Sequence, residues 1–245
     1  LIEMAHDTNF TEVEKKYVVE AYDDIANGFD KTRYKPWPKT VEFVQSLAQK
    51  SSCLEVGCGN GKNLFREDIE MIGLDSSSKL VEIARSKGKN VVVGDGCDLP
   101  FLDDRFDAVM SIAVLHHVHT FQRQTKFLQE MLRVCKIGGK VMIEVWATTD
   151  PKFTRSSPLE NGDPHDRVVS FCSKSDEVQK GRYYHFYEKN ELEDLIYEVR
   201  LKTQNSDQVP CKKKKFSGNV VFDSNNWTFV GEVCSDTDSP DLSDS

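Results

Sequence analysis

The stretch "CLEVGCGNGKNLF", residues 53 to 65, sets three glycines at alternate positions directly behind a short apolar run. Glycine costs stability inside a strand or helix, so a cluster of it marks a tight turn or a place where the backbone comes close to something. Cys53, Leu54 and Val56 read as a buried strand, and Gly57, Gly59 and Gly61 as the turn that ends it. Such a turn serves an ordinary strand-to-helix connection as well as it serves a ligand. The elements around it decide between the two.

Downstream, short apolar runs alternate with helical segments. Strands are predicted over 53–57, 71–75 ("MIGLD"), 90–95 ("NVVVGD"), 106–112 ("FDAVMSI") and 140–146 after the Gly138-Gly139 break, with helices over 77–87 and 120–135. That alternation predicts an α/β fold with a mostly parallel, doubly wound sheet. Upstream, Thr11 and Glu14 form a capping box, and Val13, Tyr17, Val18, Tyr22 and Ile25 follow at helical spacing. Pro38 can open a second helix with Val41, Val44, Leu47 and Ala48 turned inward. Past the core come a polar, irregular stretch, a helix over about 190–201, and the runs "NVVFD" and "NWTFVGE", which read as an antiparallel hairpin at one sheet edge. The expected organisation is one domain over 1–234: a helical covering segment (1–50), a cofactor-binding core (51–147), an irregular loop (148–181) and a C-terminal helix and hairpin (182–234).

Composition narrows the class. The 245 residues are 38% hydrophobic and 29% charged, which suits a globular domain. No apolar run approaches the roughly 20 residues of a membrane span, and the first residues lack a cationic-then-apolar layout. A cytoplasmic location, with the nucleus also compatible and no membrane contact, is the expectation. The seven cysteines are scattered with no C-x-x-C pair, so they read as reduced thiols rather than disulfides or zinc ligands, and no metal ligand is named. Net charge is −8, half of it from the acidic segment 235–245, which is expected to be disordered. The run Lys212 to Lys215 and the cluster Lys31, Arg33, Lys35 are left as candidate positive patches.

Acidic residues end the later strands in register with the glycine turn. In open parallel sheets ligands sit outside the carboxyl ends of the strands, and an acid ending the second strand, about 20 residues past the glycines, holds a ribose. Asp75 lies 18 residues after Gly57, and Asp95 ends the third strand, where it could accept from an adenine amino group. Ser76, Gly96 and Ile112 flank the same strand ends. The dinucleotide pattern G-x-G-x-x-G and the P-loop are both missing. Instead the turn is G-x-G-x-G with Glu55 just upstream, a carboxylate that repels phosphate and suits a cation. S-adenosylmethionine, with adenine, ribose, an ammonium and a sulfonium but no phosphate, fits this set.

The segments "LEVGCGNG", "GLD", "GDGCDLPFLDDRFDAVMSIAVLHHV" and "EMLRVCKIGGKVMI" resemble the successive motifs of class I S-adenosylmethionine-dependent methyltransferases, with their Rossmann-like fold. The flanks "YDDIANGFDKTRYKPWP", "SIAVLHH", "EVWA" and "RYYHFYEKNEL" resemble the eukaryotic tRNA wobble-uridine carboxymethyl methyltransferases. That resemblance implies methyl esterification of 5-carboxymethyluridine at the wobble position, an anticodon stem-loop as substrate, and a small zinc-binding activator subunit as a heterodimer partner. One stretch departs from the family's pattern: "PHDRVVSFCSKSD" stands where an apolar loop with "QD" and "PW" is expected.

Methyl transfer to a carboxylate is an in-line displacement that needs positioning and exclusion of water. A carboxylate with a pKa near about 4 needs no general base at neutral pH. It does need a cationic holder. Arg33 can bind it in a bidentate fork, and His117, at the mouth of the fourth strand, can donate a hydrogen bond beside the sulfonium; the resemblance points to the same two positions. Tyr34, Trp37 and Trp146 are candidates to stack an unpaired base, with Lys35, Arg182 and the lysine run on phosphates and His116 beside the substrate. The [DN]-P-P-[YF] loop of exocyclic-amine methylation is missing, and no cysteine is placed for attack on a pyrimidine carbon. Two alternatives stay open, a methyltransferase for a small carboxylic or lipophilic substrate and a catalytically silent RNA-binding relative.

Overall fold

The computed structural model describes residues 10–160, 162–172, 179–202 and 213–235. Lys212, Cys211 and the acidic segment beyond Ser235 lie outside them. Helix α1 (Glu12–Glu14) opens on the expected capping box: Glu14 N–H donates to Thr11 Oγ1 (3.2 Å) and Thr11 N–H to Glu14 Oε2 (2.9 Å). It runs through a π-helical turn (Lys15–Val19) into α2 (Glu20–Thr32), and Pro38 starts α3 (Pro38–Gln45). The alternating core follows as β1 (Ser52–Val56), β2 (Glu70–Asp75), α4 (Ser78–Ser86), β3 (Val91–Val93), β4 (Phe106–Ile112), α5 (Phe121–Val134) and β5 (Cys135–Trp146). Then come α6 (Pro151–Arg155), β6 (Ser157–Pro158), β7 (Asp166–Cys172), β8 (Gln179–His185), α7 (Lys189–Glu198), β9 (Arg200–Lys202), β10 (Lys213–Asp223) and β11 (Asn226–Ser235).

The main sheet has the order β3-β2-β1-β4-β5-β11-β10-β9, with β1 to β5 parallel and the last three strands antiparallel. The α/β architecture expected from sequence, a mostly parallel doubly wound sheet with antiparallel C-terminal strands, is present. β1 is buried along its whole length because a central parallel strand is covered on both faces. One face packs Leu54, Val109, Leu128, Met131, Val141, Leu195 and Phe229; the other packs Phe43, Val44, Cys53, Met71, Val81, Met110 and Met142. Ser224 and Asn225 link β10 to β11 with φ of 49° and 64°, the left-handed pair that a two-residue hairpin turn requires. The hairpin is flanked on its outer side by the three residues of β9.

Two expectations need correction. Strand β5 starts at Cys135 rather than 140, since Gly138 at φ +80° lets the chain bulge, shifting the β4 register between Phe106 and Ala108, without leaving the sheet. The segment 148–181, read as irregular, carries α6, β6, β7 and the start of β8, and these strands form a separate antiparallel sheet, β6-β7-β8, paired from Asp166 opposite His185 to Cys172 opposite Gln179. Its strands mix polar and apolar residues without a clean period of two, which hid them. Cys53, Cys58, Cys97 and Cys135 are buried free thiols. Among the described residues no helix is long and apolar enough to cross a membrane.

The lysine run also reads differently in the fold. Lys214, 1% exposed, donates from Nζ to the carbonyls of Leu132 (3.0 Å), Arg133 (3.1 Å) and Cys135 (2.7 Å), and pairs with Asp104 (2.7 Å). It caps the carboxyl end of α5, where orphan carbonyls and the helix dipole favour a cation. This ammonium is not available to a phosphate. Replacing Lys214 by Met should lower unfolding stability by about 2–4 kcal/mol, because the carbonyls stay buried without their donor. Urea unfolding measures this, and an unchanged midpoint would remove the capping role.

Candidate cofactor and substrate site

β1 ends at Val56, and Gly57 turns the chain at φ +80°. A Cβ at Gly57 would lie 2.2 Å from Val114 Cγ2, so the exit of β4 crosses the turn where only glycine fits. Ala113, at φ +60°, is the strained residue that delivers Val114 there. Asp75 ties the turn to the next helix: Gly59 N–H donates to its Oδ2 (2.7 Å) and Ser77 N–H to its Oδ1 (2.9 Å). Asn63 donates to Glu55 Oε1 (2.6 Å), while Glu55 Oε2 is buried with no partner. Burial pushes Asp75 up to about 6 and Glu55 up to about 8. Neither has an ion-pair partner among the described residues. Two desolvated carboxylates at the tips of β1 and β2 fit a cation and a ribose, and the orphaned Oε2 is a ready acceptor for an ammonium.

The first helices close this cavity from above. Phe10, Val18, Tyr22 and Phe29 line it opposite the strand tips. The cover is tied down by charge. Glu14, 2% exposed, accepts from Arg123 Nε (2.9 Å) and His119 N (2.9 Å), and Arg123 Nη2 donates to Asp95 Oδ2 (2.8 Å), whose Oδ1 accepts from Cys97 N (2.9 Å).

The far end of the cavity has the opposite sign. His117 Nδ1 lies 2.6 Å from the Tyr183 carbonyl and so must carry a proton, leaving Nε2 to accept from Tyr22 Oη (2.8 Å). Burial pushes His117 down to about 3, so it is neutral at physiological pH. His116 Nδ1 accepts from Trp146 N (3.1 Å); burial and the neighbouring imidazole lower its pKa, so the proton sits on Nε2, which is buried without a partner. Arg182, 5% exposed, stacks its guanidinium on Tyr22, Phe171 and Tyr184, at 5.7, 5.3 and 5.2 Å. Its Nη1 donates to Tyr22 Oη (3.3 Å), its Nε has no partner, and no carboxylate pairs with it among the described residues. A buried, uncompensated guanidinium calls for an anion.

A cleft continues outward from this cavity through Arg33, Trp37, Lys62 and Trp146, which line both. Tyr34, Lys35, Lys39 and Lys152 add to its wall, as do Glu144, Asp150 and Asp223. Tyr34 is 69% exposed. Trp146 stacks on Tyr184 (4.2 Å, 12°) and lies under Lys152 Nζ (4.1 Å), while Lys62 Nζ sits over Trp37 (5.2 Å).

Residues 54–143 match the family model described as a methyltransferase domain. A fission-yeast (Schizosaccharomyces pombe) tRNA (carboxymethyluridine(34)-5-O)-methyltransferase is 37% identical over 204 residues, 76% of this chain and 88% of that protein. The chain belongs to this methyltransferase family. The Arabidopsis thaliana relative of the same name is 47% identical over 152 residues, 60% of this chain, and the match spans only 38% of that longer protein. Among solved structures, the CcbJ methyltransferase of Streptomyces caelestis superposes with a TM-score of 0.62 at 17% identity, covering 87% of this chain and 98% of that one, a likeness of fold alone.

In this family member the cavity gathers Glu55, Gly57, Gly59, Asp75, Ser76, Asp95, Gly96, Ile112, Arg33, Trp37, His116, His117, Trp146 and Arg182. Tyr34 and Lys35 line the outer cleft. Gly61 lines neither. Its φ of +73° and the 3.2 Å that would separate its Cβ from the Ala84 Cβ make it a turn and packing residue against α4. The role expected of His117 is corrected, since both its nitrogens are committed inside the protein; the unpartnered imidazole donor belongs to His116. Trp146 is a wall already stacked on Tyr184, which leaves Tyr34 as the exposed ring. Sequence reading missed Tyr22, Asn63, Arg123 and Tyr184. Asn63 follows the glycines closely enough to have been found, but the others meet the site only through tertiary packing.

Because Glu55 and Asp75 become more fully ionised as pH rises toward 8, a cationic ligand here should bind more tightly at pH 8 than at pH 6, by about tenfold, with release of a proton. Titration calorimetry with S-adenosylmethionine measures both, Glu55→Gln should flatten the profile, and equal affinity at the two pH values would contradict the assignment.

Proposed function

We propose that this chain forms the methyl ester of 5-carboxymethyluridine at the wobble position of a tRNA anticodon, using S-adenosylmethionine. The observation that carries the reading is the cavity's two ends, buried carboxyls without an ion-pair partner at the β1 and β2 tips, and at the other end Arg182, which no carboxylate pairs among the described residues, with the unpartnered His116 Nε2–H. Bound at the glycine turn, S-adenosylmethionine supplies an electrophilic methyl group. Glu55 would take its ammonium, Asp75 its ribose hydroxyls, and Asp95, held by Arg123 and Cys97 N, the adenine side.

Arg182 and His116 would hold the acceptor carboxylate, already ionised, with one oxygen in line with the methyl–sulfur bond, so that the methyl group would pass to that oxygen without a general base. No proton has to be moved in that step. The role of His117 is to position: through Tyr22 it links the covering helix to the guanidinium. The covering helices and the aromatic wall exclude water, which strengthens the charge contacts. Arg33, at the junction of cavity and cleft, would meet the uridine side of the acceptor or its phosphate, with Tyr34 stacking an unpaired base and Lys35 and Lys152 on the backbone. The family resemblance further supports a small zinc-binding activator subunit as partner. A tRNA substrate would support work in the cytoplasm or the nucleus.

The test uses the purified chain with and without the activator, methyl-labelled cofactor, and tRNA carrying the free carboxymethyl group. Label should enter tRNA in an alkali-labile form, as an ester does. Alkali-stable label, or turnover on small carboxylic acids without RNA, would overturn the reading. Arg182→Lys, which keeps charge but loses the planar fork, should lower kcat/KM by about 10- to 150-fold, the worth of a charge-assisted hydrogen bond, with cofactor affinity retained. Unchanged kinetics would transfer the holder's role to another residue.

A further inference from the structure

We propose that His165, His185 and Glu191 form a binding site for a divalent transition-metal ion, with zinc as the ion that suits the donor set. Each offers one ligand atom, and these lie within 4.8 Å of one another, at the start of β7, the end of β8 and the first turn of α7. None of the three residues lines the methyl-transfer cavity.

His185 is buried and already oriented as a ligand. Its Nδ1 lies 2.7 Å from Asp166 Oδ1, and that carboxylate oxygen also accepts from Tyr183 Oη (2.7 Å), so the ring is fixed with Nε2 turned toward Glu191 Oε1 at 2.6 Å. A carboxylate behind the distal ring nitrogen is the arrangement that fixes the tautomer of zinc-bound histidines. An ion here would replace the proton that His185 and Glu191 now share.

His165 supplies the third donor. Its Nδ1 is 3.5 Å from Glu191 Oε2, and the ring nitrogens come no closer than 3.8 Å to the carboxylates of Asp163 and Glu188, although its backbone N–H donates to Asp163 Oδ1 (2.8 Å). Hydrogen bonds would be shorter, whereas bonds of 2.0–2.1 Å to one tetrahedral ion hold ligand atoms about 3.3 Å apart. The ring is 27% exposed at its side chain, so an ion has a way in and the imidazole has room to turn. Two imidazoles, one carboxylate and an open fourth position for water or a neighbouring carboxylate match zinc among the common divalent ions, while calcium and magnesium prefer all-oxygen shells. His165 stands in the stretch "PHDRVVSFCSKSD", where this chain departs from the family's pattern.

The site would clamp a strand that matters. Tyr183 and His185 face one side of β8, and Arg182 and Tyr184, on the alternating side, form the anion-seeking end of the cavity. An ion joining β7, β8 and α7 would fix that strand from behind.

The experiment takes the full chain, stripped with a chelator and dialysed, and titrates zinc alone against a chromophoric competitor. A cobalt titration in parallel reads the ligand type. The expected result is one ion per chain, a tetrahedral cobalt spectrum without the charge-transfer band of thiolate ligands, and a zinc-dependent rise in Tm. His165→Gln, which leaves the Asp166–His185–Glu191 chain intact and so should fold, should weaken zinc by more than about tenfold, the least that loss of an outer partner alone costs, and abolish the rise in Tm. Glu191→Gln should do the same. Absence of saturable binding, a thiolate spectrum, or zinc affinity unchanged in His165→Gln would overturn the proposal.

Discussion

The fold sets two carboxyl groups into low-dielectric positions, with no ion-pair partner for either among the described residues. Glu55 and Asp75 stand at adjacent strand tips because β1 and β2 are parallel neighbours and end together. The turn between them is tight enough that backbone amides, not side chains, are the partners of Asp75. Burying unpaired acid costs free energy, and the pKa of each carboxyl rises accordingly. A sequence that retains such groups in place of apolar ones stores an affinity for positive charge, realised only when a ligand arrives.

The rest of the cavity works from the same constraint. The covering helices are held over the strand tips by the Glu14–Arg123–Asp95 chain, so the amino-terminal segment and the tip of β3 are linked electrostatically. Across the cavity, Arg182 rests on aromatic faces instead of a carboxylate, which keeps its charge available. Had an aspartate been its partner, the guanidinium would be a structural element. As it stands, the two ends attract ligand groups of opposite sign and lie within one enclosure, which is the arrangement that transfer between a sulfonium and a carboxylate needs.

Much of this was legible in the sequence, for local reasons. Glycine at positive φ, Asp75 ending β2 and Asp95 just past β3, Thr11 with Glu14, and Pro38 at a helix start are short-range signals whose physics does not depend on distant residues. What was not legible depends on partners far along the chain. Whether His117 or His116 keeps a spare donor is decided by the Tyr183 carbonyl and the Trp146 amide. Lys214 looks like one of four solvated lysines until α5 presents its carbonyls to it. Strands β6 and β7, within the segment that reads as an irregular loop, alternate too imperfectly to announce themselves, and they pair only within their own small sheet.

The burial of the strand-tip acids Glu55 and Asp75 without an ion-pair partner among the described residues governs the cavity's charge. It is tested most directly by following the side-chain carboxyl carbon of Glu55 by NMR with selective 13C labelling, assigned by Glu55→Gln, across pH in the free protein and with S-adenosylmethionine bound. The account predicts a midpoint near 8 in the free protein, moving down by at least a unit on binding as the ligand's charge stabilises the carboxylate. A midpoint in the ordinary range near about 4 in the free protein, or one that does not respond to the ligand, would contradict it.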